Sequence, residues 1–194
     1  MAFVAQKAGQ AQVTPESIRG YFEREFGYFP EPISAWSLVS GQGPLKLRSG
    51  GVLQVDAGLT LDGPVVVEGG AQLENLNVLR FNGAVTLHAG ALLAGDGSKV
   101  FAGSLALGDG PATVLDGPGA TWLAASNVYL AEIGSPQPGD FDQYRSTGLL
   151  RLGGTLKLLP WQGFAGQAGA WIDLFDVPLA GQFDERRSGV ARRV

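Results

Sequence analysis

PLKLRSGGVLQVDAGLTLDG (residues 44–63), PVVVEGGAQLENLNVLRFNG (64–83), AVTLHAGALLAGDGSKVFAG (84–103) and SLALGDGPATVLDGPGATWL (104–123) align one beneath another without a gap. Leu45, Val65, Val85 and Leu105 fill the second column, and Leu47, Val67, Leu87 and Leu107 the fourth. Gly50, Gly70, Gly90 and Gly110 fill the seventh. The tenth column reads Leu53, Leu73, Leu93 and then Thr113; the eighteenth reads Leu61, Phe81, Phe101 and then Thr121. Within each block the apolar residues alternate at period two, which places them on one face of a strand. The recurring glycine marks a turn that uses a positive φ. Three short strands and three turns in each block describe one coil of a parallel β-helix, with coils stacked at the strand spacing of about 4.8 Å. A β-sandwich is the alternative, since Asn82-Gly83 is a hairpin signal. A sandwich gives no reason for glycine to recur in register.

Outside the repeat, the composition agrees with a turn-rich β protein. There are 30 glycines, charged residues make up only 16% of the 194 residues, and 45% are hydrophobic. That is too apolar for a disordered chain. A net charge of −4 gives no general attraction for nucleic acid or anionic membranes. Arg186, Arg187, Arg192 and Arg193 form a local basic cluster, read as a solvated tail. The absence of cysteine excludes a disulfide framework and thiolate metal sites, and it leaves secretion open. No run is long and apolar enough for a membrane helix, and the first residues do not read as a signal peptide.

Ahead of the repeat, residues 14–27 read as a helix. Thr14 suits the N-cap, Pro15 the first turn and Gly27 the end. Ile18, Tyr21, Phe22 and Phe26 form one apolar stripe, which Tyr28, Phe29 and Trp36 extend. Solenoids carry atypical terminal units, so this helix is expected to cap the stack, or to serve with Phe3 as an assembly surface. Residues 1–13 read as an extended arm that could add a strand to a neighbouring subunit.

Beyond residue 123 strand character persists without strict register. Val128-Tyr129-Leu130-Ala131-Glu132-Ile133 alternates. An acidic turn, Gly139-Asp140-Phe141-Asp142-Gln143, precedes Gly148-Leu149-Leu150-Arg151-Leu152-Gly153-Gly154-Thr155-Leu156. Gly163-Phe164, Trp171-Ile172-Asp173-Leu174-Phe175 and Gly181-Gln182-Phe183 follow. This order resembles the C-terminal part of β-helical passengers of autotransporter and haemagglutinin-like surface proteins, and of secreted bacterial proteins with PEP-CTERM sorting tails. The resemblance spans about residues 128–183. It implies an extracellular structural module and a backbone-shaping role for Asp140 and Asp142. Residues 184–194 are not expected to supply the further coils, barrel or sorting helix that follow this segment in the family.

The chemistry-bearing residues are sparse. His88 is the one histidine, and it falls on the outward phase of its strand. A triad with Ser49 or Ser104 would lack a nucleophile elbow, and one histidine cannot build a histidine-rich zinc site. Arg48, Glu68 and His88 share the fifth column and read as a solvated charge ladder. Asp56, Asp62, Glu68, Glu74, Asp96, Asp109 and Asp116 mostly occupy or flank turns. Gly95-Asp96-Gly97 and Gly108-Asp109-Gly110 resemble calcium turns, but the nonapeptide calcium repeat does not occur. No catalytic residue, metal ligand or cofactor is expected.

The expected fold is therefore an all-β, right-handed parallel β-helix with coils of about 20 residues and a short helical N-terminal cap. The expected division is an arm (1–13), a helical and aromatic cap (14–43), regular coils (44–123), irregular coils (124–183) and a basic tail (184–194). The expected function is that of a secreted or cell-surface structural protein, not an enzyme, that assembles with copies of itself into a filament or matrix. An adhesin or carbohydrate-binding module is the alternative, with Trp122, Tyr129, Trp161 and Trp171 as glycan contacts and a surface polysaccharide as partner. A polysaccharide-degrading enzyme ranks third and requires clustered carboxylates with a basic residue. Neither nucleic acid binding nor membrane insertion is expected.

Overall fold

A computed structural model describes residues 6–7, 44–166 and 169–188, and the side chains of residues 6, 7 and 186–188 fall outside the description. The helix expected over 14–27 lies outside the described residues, as do the cap and assembly residues Phe3, Ile18, Tyr21, Phe22, Phe26, Tyr28, Phe29 and Trp36. The described chain is a right-handed parallel β-helix with three faces. None of its helices is long and apolar enough to cross a membrane.

Each coil visits the faces in the same order. The first face holds β2 (Leu45–Leu47), β5 (Val65–Val67), β8 (Val85–Leu87), β11 (Ser104–Ala106), β14 (Val128–Ile133), β17 (Thr155–Pro160) and β20 (Glu185–Ser188). The second holds β3 (Gly51–Val55), β6 (Gln72–Asn75), β9 (Leu92–Ala94), β12 (Thr113–Asp116), β15 (Gln143–Ser146) and β18 (Phe175–Asp176). The third holds β4 (Leu59–Leu61), β7 (Leu79–Phe81), β10 (Lys99–Phe101), β13 (Thr121–Leu123), β16 (Leu150–Leu152) and β19 (Leu179–Gly181). All these pairings are parallel. The exception among the described strands is β1 (Gln6–Lys7), which lies antiparallel on β3 and pairs Gln6 with Val52 and Lys7 with Gly51; beyond the strand ladders, Ile133 and Phe141 form an isolated antiparallel bridge. Two residues of the expected arm thus add a strand to their own chain.

The predicted columns are ladders. Leu45 pairs with Val65, Val65 with Val85, and Val85 with Leu105. Leu59 pairs with Leu79 and Leu61 with Phe81. Inward residues are almost fully excluded from water, from Leu47 and Val67 to Leu87 and Leu105. Phe81 and Phe101 stack with ring centroids 4.8 Å apart and planes 7° from parallel, so the aromatic ladder follows the coil spacing. At the corners, Gly51, Ala71 and Ala91 donate N–H bonds to Arg48, Glu68 and His88, closing four-residue turns. The third residue of each turn is Gly50, Gly70 or Gly90, at φ 76°, 76° and 79°. A type II turn demands this conformation at that position, and only glycine adopts it without steric cost.

The fourth block corrects the ungapped alignment. Leu92 pairs with Leu115 and Leu93 with Asp116, while Lys99 pairs with Thr121 and Phe101 with Leu123. Thr113 and Thr121 are therefore out of the columns assigned to them. The corner between β11 and β12 is longer than its predecessors. The left-handed position near the ordinary turn value passes to Gly108 (φ 87°), and Gly110 sits at φ 141°. At the other end, Glu185–Ser188 belongs to the solenoid rather than to a tail: Thr155, Leu156, Lys157 and Leu158 pair with residues 185 to 188.

Candidate functional site

The three corners of the coil behave differently along the stack. Between the second and third faces, and between the third and the next coil, the connections stay short throughout. Between the first and second faces they lengthen: residues 48–50, 68–71, 88–91, 107–112, 134–142 and 161–174 hold three, four, four, six, nine and fourteen residues. All large insertions thus leave the solenoid along one edge. In repeat proteins such insertions collect on one face, often the binding face.

A cleft of about 430 Å³ opens among the last three of these loops. Pro111 comes from the first loop, Gly134, Gly139 and Asp140 from the second, and Trp161, Gln162, Gly163 and Phe164 from the third. The half-buried indole of Trp161 packs where side chains are missing. A Cβ on Gly110 would lie 3.0 Å from its Cζ2 atom, and one on Gly134 3.4 Å from its Cδ1 atom. The Trp161 N–H donates to Ile133 O at 2.8 Å, and Phe164 N–H donates to Trp161 O at 3.0 Å. Gln162 has φ 47° and is the one non-glycine residue with positive φ among the described residues.

Two acidic residues shape the loop floor. The Asp140 carbonyl accepts N–H bonds from Gly134 (2.6 Å) and Ser135 (3.2 Å), and its Oδ2 accepts the Ser135 hydroxyl at 2.7 Å. Asp142 is fully buried; its Oδ1 accepts the Ala112 N–H at 2.9 Å and its Oδ2 the Glu132 N–H at 2.8 Å. It therefore ties the first two loops to the end of β14. Burial pushes its carboxyl up to about 7, against the pull of the two N–H donors, and the neighbouring Glu132 charge adds to the rise. Glu132 is also raised, first by burial and then by Asp109, while the Gly110 N–H opposes the shift.

The residues proposed as glycan contacts separate. Trp161 lines the cleft. Trp171 stands on the longest loop at 92% exposure and does not line it. Trp122 projects from the third face beneath Arg151, whose guanidinium carbon lies 6.0 Å from the ring centroid. Tyr129 is interior, 1% exposed and tilted against Phe175 at 5.1 Å, so it offers no surface to a sugar. Its inward phase on β14 continues the Leu45 ladder through Leu105.

The fifth-column ladder is also rearranged. Glu68 pairs with Lys46 at 2.8 Å and accepts the Ser49 N–H at 3.3 Å, which holds its carboxyl below the ordinary value, with Arg48 contributing at longer range. His88 is half-buried on the outward phase.

One cluster escaped the sequence reading. Lys99 and Asp116 are fully buried and joined at 2.9 Å. The other Asp116 oxygen accepts the Thr121 hydroxyl at 2.7 Å and the Tyr144 hydroxyl, and Lys99 also donates to Gly97 O at 3.3 Å. Asp116 flanks the turn after β12, and the longer corner before β12 puts it in register with Leu93, which turns its side chain inside. The available signal was Lys99 itself, which occupies the column of Leu59 and Leu79. Among the described residues no group of three or more His, Cys, Asp or Glu side chains could hold a metal ion.

Compared with known protein families, curated proteins and solved structures, the chain matches none.

Proposed function

We propose that this chain is a secreted or cell-surface structural protein whose solenoid stacks end to end with further copies of itself. In this reading it is a scaffold and not an enzyme. The observation that carries the reading is the way the stack ends. β18 and β19 are the last strands of their sheets, and each has one edge without a partner strand among the described residues. The apolar interior continues to this layer through Leu174, Phe175 and Phe183, with Phe175 and Phe183 centroids 5.9 Å apart. Leu179 on β19 is 49% exposed. Unpaired edges over an apolar layer invite a further strand layer, and a head-to-tail contact that does not close generates filaments. The resemblance of residues 128–183 to secreted passenger proteins supports an extracellular setting.

The test is light scattering over a concentration series with electron microscopy of the same samples. Filaments or a concentration-dependent mass are expected. Leu179→Lys, which puts a charge on the open end layer at β19, should reduce them. Protein that stays monomeric and forms no fibres would defeat the reading. A carbohydrate-binding role is the second reading, favoured by the exposed Trp122 and by Trp161 in the loop cleft.

A further inference from the structure

We infer that the cleft between the three corner loops is a saccharide-binding site that takes an uncharged sugar ring against Trp161. The inference is independent of end-to-end assembly; it rests on the carbohydrate-binding reading and names the site and the class of sugar.

Placement comes first. Every large departure from the regular coil lies along the edge between the first and second faces, and three successive loops supply the lining. A single loop insertion is tolerated as surface variation. Three insertions that grow along one edge and share a cleft make a composite wall, held together by Asp142 at Ala112 and Glu132.

The lining then selects the ligand. Trp161 supplies aromatic surface for the apolar C–H face of a sugar, and Phe164 beside it packs against the core. Gly110 and Gly134 seat the indole by lacking side chains. For the hydroxyl groups, Asp140 offers Oδ1, which has no hydrogen-bond partner among the described residues, its Oδ2 being taken by Ser135. The exposed Gln162 amide offers both a donor and an acceptor. Gln162 also carries the unusual backbone conformation, φ 47°. Such conformations persist where surrounding structure enforces them and cluster at ligand clamps.

Charge narrows the choice further. Among the described residues the lining holds one carboxylate and no basic residue, and the nearby chain segments carry Asp109 and Glu132, whose charges interact with each other. A uronate or sulfated sugar would meet like charge with no cation to offset it. The volume, about 430 Å³, is on the scale of small-ligand clefts. A quaternary ammonium group is the competing occupant, because aromatic and acidic groups also attract cations. The amide and the exposed carboxylate oxygen favour the sugar, since a trimethylammonium group offers no hydrogen-bond donor to them.

The test is titration calorimetry of the whole chain with cello-, malto-, galacto- and chito-oligosaccharides, with oligogalacturonate and tetramethylammonium alongside. At least one neutral oligosaccharide should bind saturably, and oligogalacturonate should not. Trp161→Ala should weaken binding roughly tenfold or more, the equivalent of about 1.4 kcal/mol. Gln162→Ala, at an exposed position that leaves the core untouched, should weaken it by a smaller factor; this second variant covers the case in which loss of Trp161 disturbs the loops. Trp122→Ala, on the third face, should bind as the parent does. The inference is overturned if no neutral oligosaccharide binds, if binding survives both cleft substitutions, or if tetramethylammonium alone binds in a Trp161-dependent manner.

Discussion

The first three coils and the last three are built on one plan with opposite tolerances. From β2 to β10 the spacing is 20 residues on every face, the inward columns are nearly all aliphatic or Phe, and the corners are tight turns. From β11 onward the first-to-second corner swells and buried polar side chains become more frequent: Asp116, Thr121, Asn127 and Asp142, against Asn75 and Lys99 in the regular coils. Identical ladders need no specific partner to fix their register, because every like residue meets its like. Once the spacing departs from 20, that self-templating is lost. The Lys99–Asp116 pair lies at this junction, with Lys99 in the last regular coil and Asp116 in the first irregular one. It holds together the two coils between which the register shifts.

The largest effect should come from breaking that junction. Lys99→Ala leaves a fully buried Asp116 carboxylate without its cation, and Asp116→Ala leaves a buried ammonium. Removing one partner of a buried ion pair costs about 3–5 kcal/mol. Urea unfolding should show each single variant strongly destabilised. Lys99→Leu with Asp116→Leu should be less destabilised than either, because no unpaired charge remains. Single variants within about 0.5 kcal/mol of the parent would show that the junction does not rest on this pair.

The irregular half should also be the source of unusual pH dependence. Asp142 titrates near 7 in the folded chain, against an ordinary value of 3.8. Between those values the folded chain binds the proton more tightly than the unfolded chain. Its stabilising contribution is therefore complete below the ordinary value and is lost as pH rises towards 7, the reverse of a salt-bridged carboxylate. A shift of about three pK units sets an upper limit on the order of 4 kcal/mol. Thermal midpoints measured from about pH 4 to pH 7.5 should fall more in the parent than in Asp142→Asn. Parallel profiles would remove Asp142 as the cause. Glu132, raised in the same direction, adds a slope of the same sign that persists in the variant, and Glu68, held below its ordinary value, adds one of the opposite sign.

The same contrast explains what could be read from the residues. The 20-residue period delivers the exact partners of Leu45, Val65, Val85 and Leu105, because in a regular solenoid the repeat length is the register. It fails at Thr113 and Thr121, since extra residues at one corner are invisible to an alignment without gaps. The inward turn of Asp116 follows from that slip, so its pairing with Lys99 could not be read from position alone. Trp161 was identified as an aromatic available for contact. Its neighbours in the cleft come from loops about 25 and 50 residues upstream, and no periodicity reports which loops converge. Tyr129 shows the converse: its alternation with Ala131 and Ile133 marked an inward phase, and that phase outranks its aromatic character.

Glycine substitutions give the smallest and most direct comparison, because one chemical change meets two surroundings. In the regular stack, a Cβ on Gly103 would lie 2.1 Å from the carbonyl oxygen of Gly83 and 2.5 Å from its carbon. Both are backbone atoms held by the coil above or below, so they cannot rotate away as a side chain would. In the last loop, a Cβ on Gly163 meets nothing within 4 Å, and the cost is the left-handed φ of 81° alone. Gly103→Ala should destabilise by up to about 3 kcal/mol, as overpacking against a rigid neighbour does. Gly163→Ala should cost about 1 kcal/mol, the penalty of a single left-handed alanine. Equal urea midpoints for the two variants would mean that the regular coils yield as readily as the loops, and that the stack does not draw its rigidity from backbone contact between coils. Midpoints ordered as expected would locate that rigidity at the corners where one coil's glycine rests on the next coil's carbonyl.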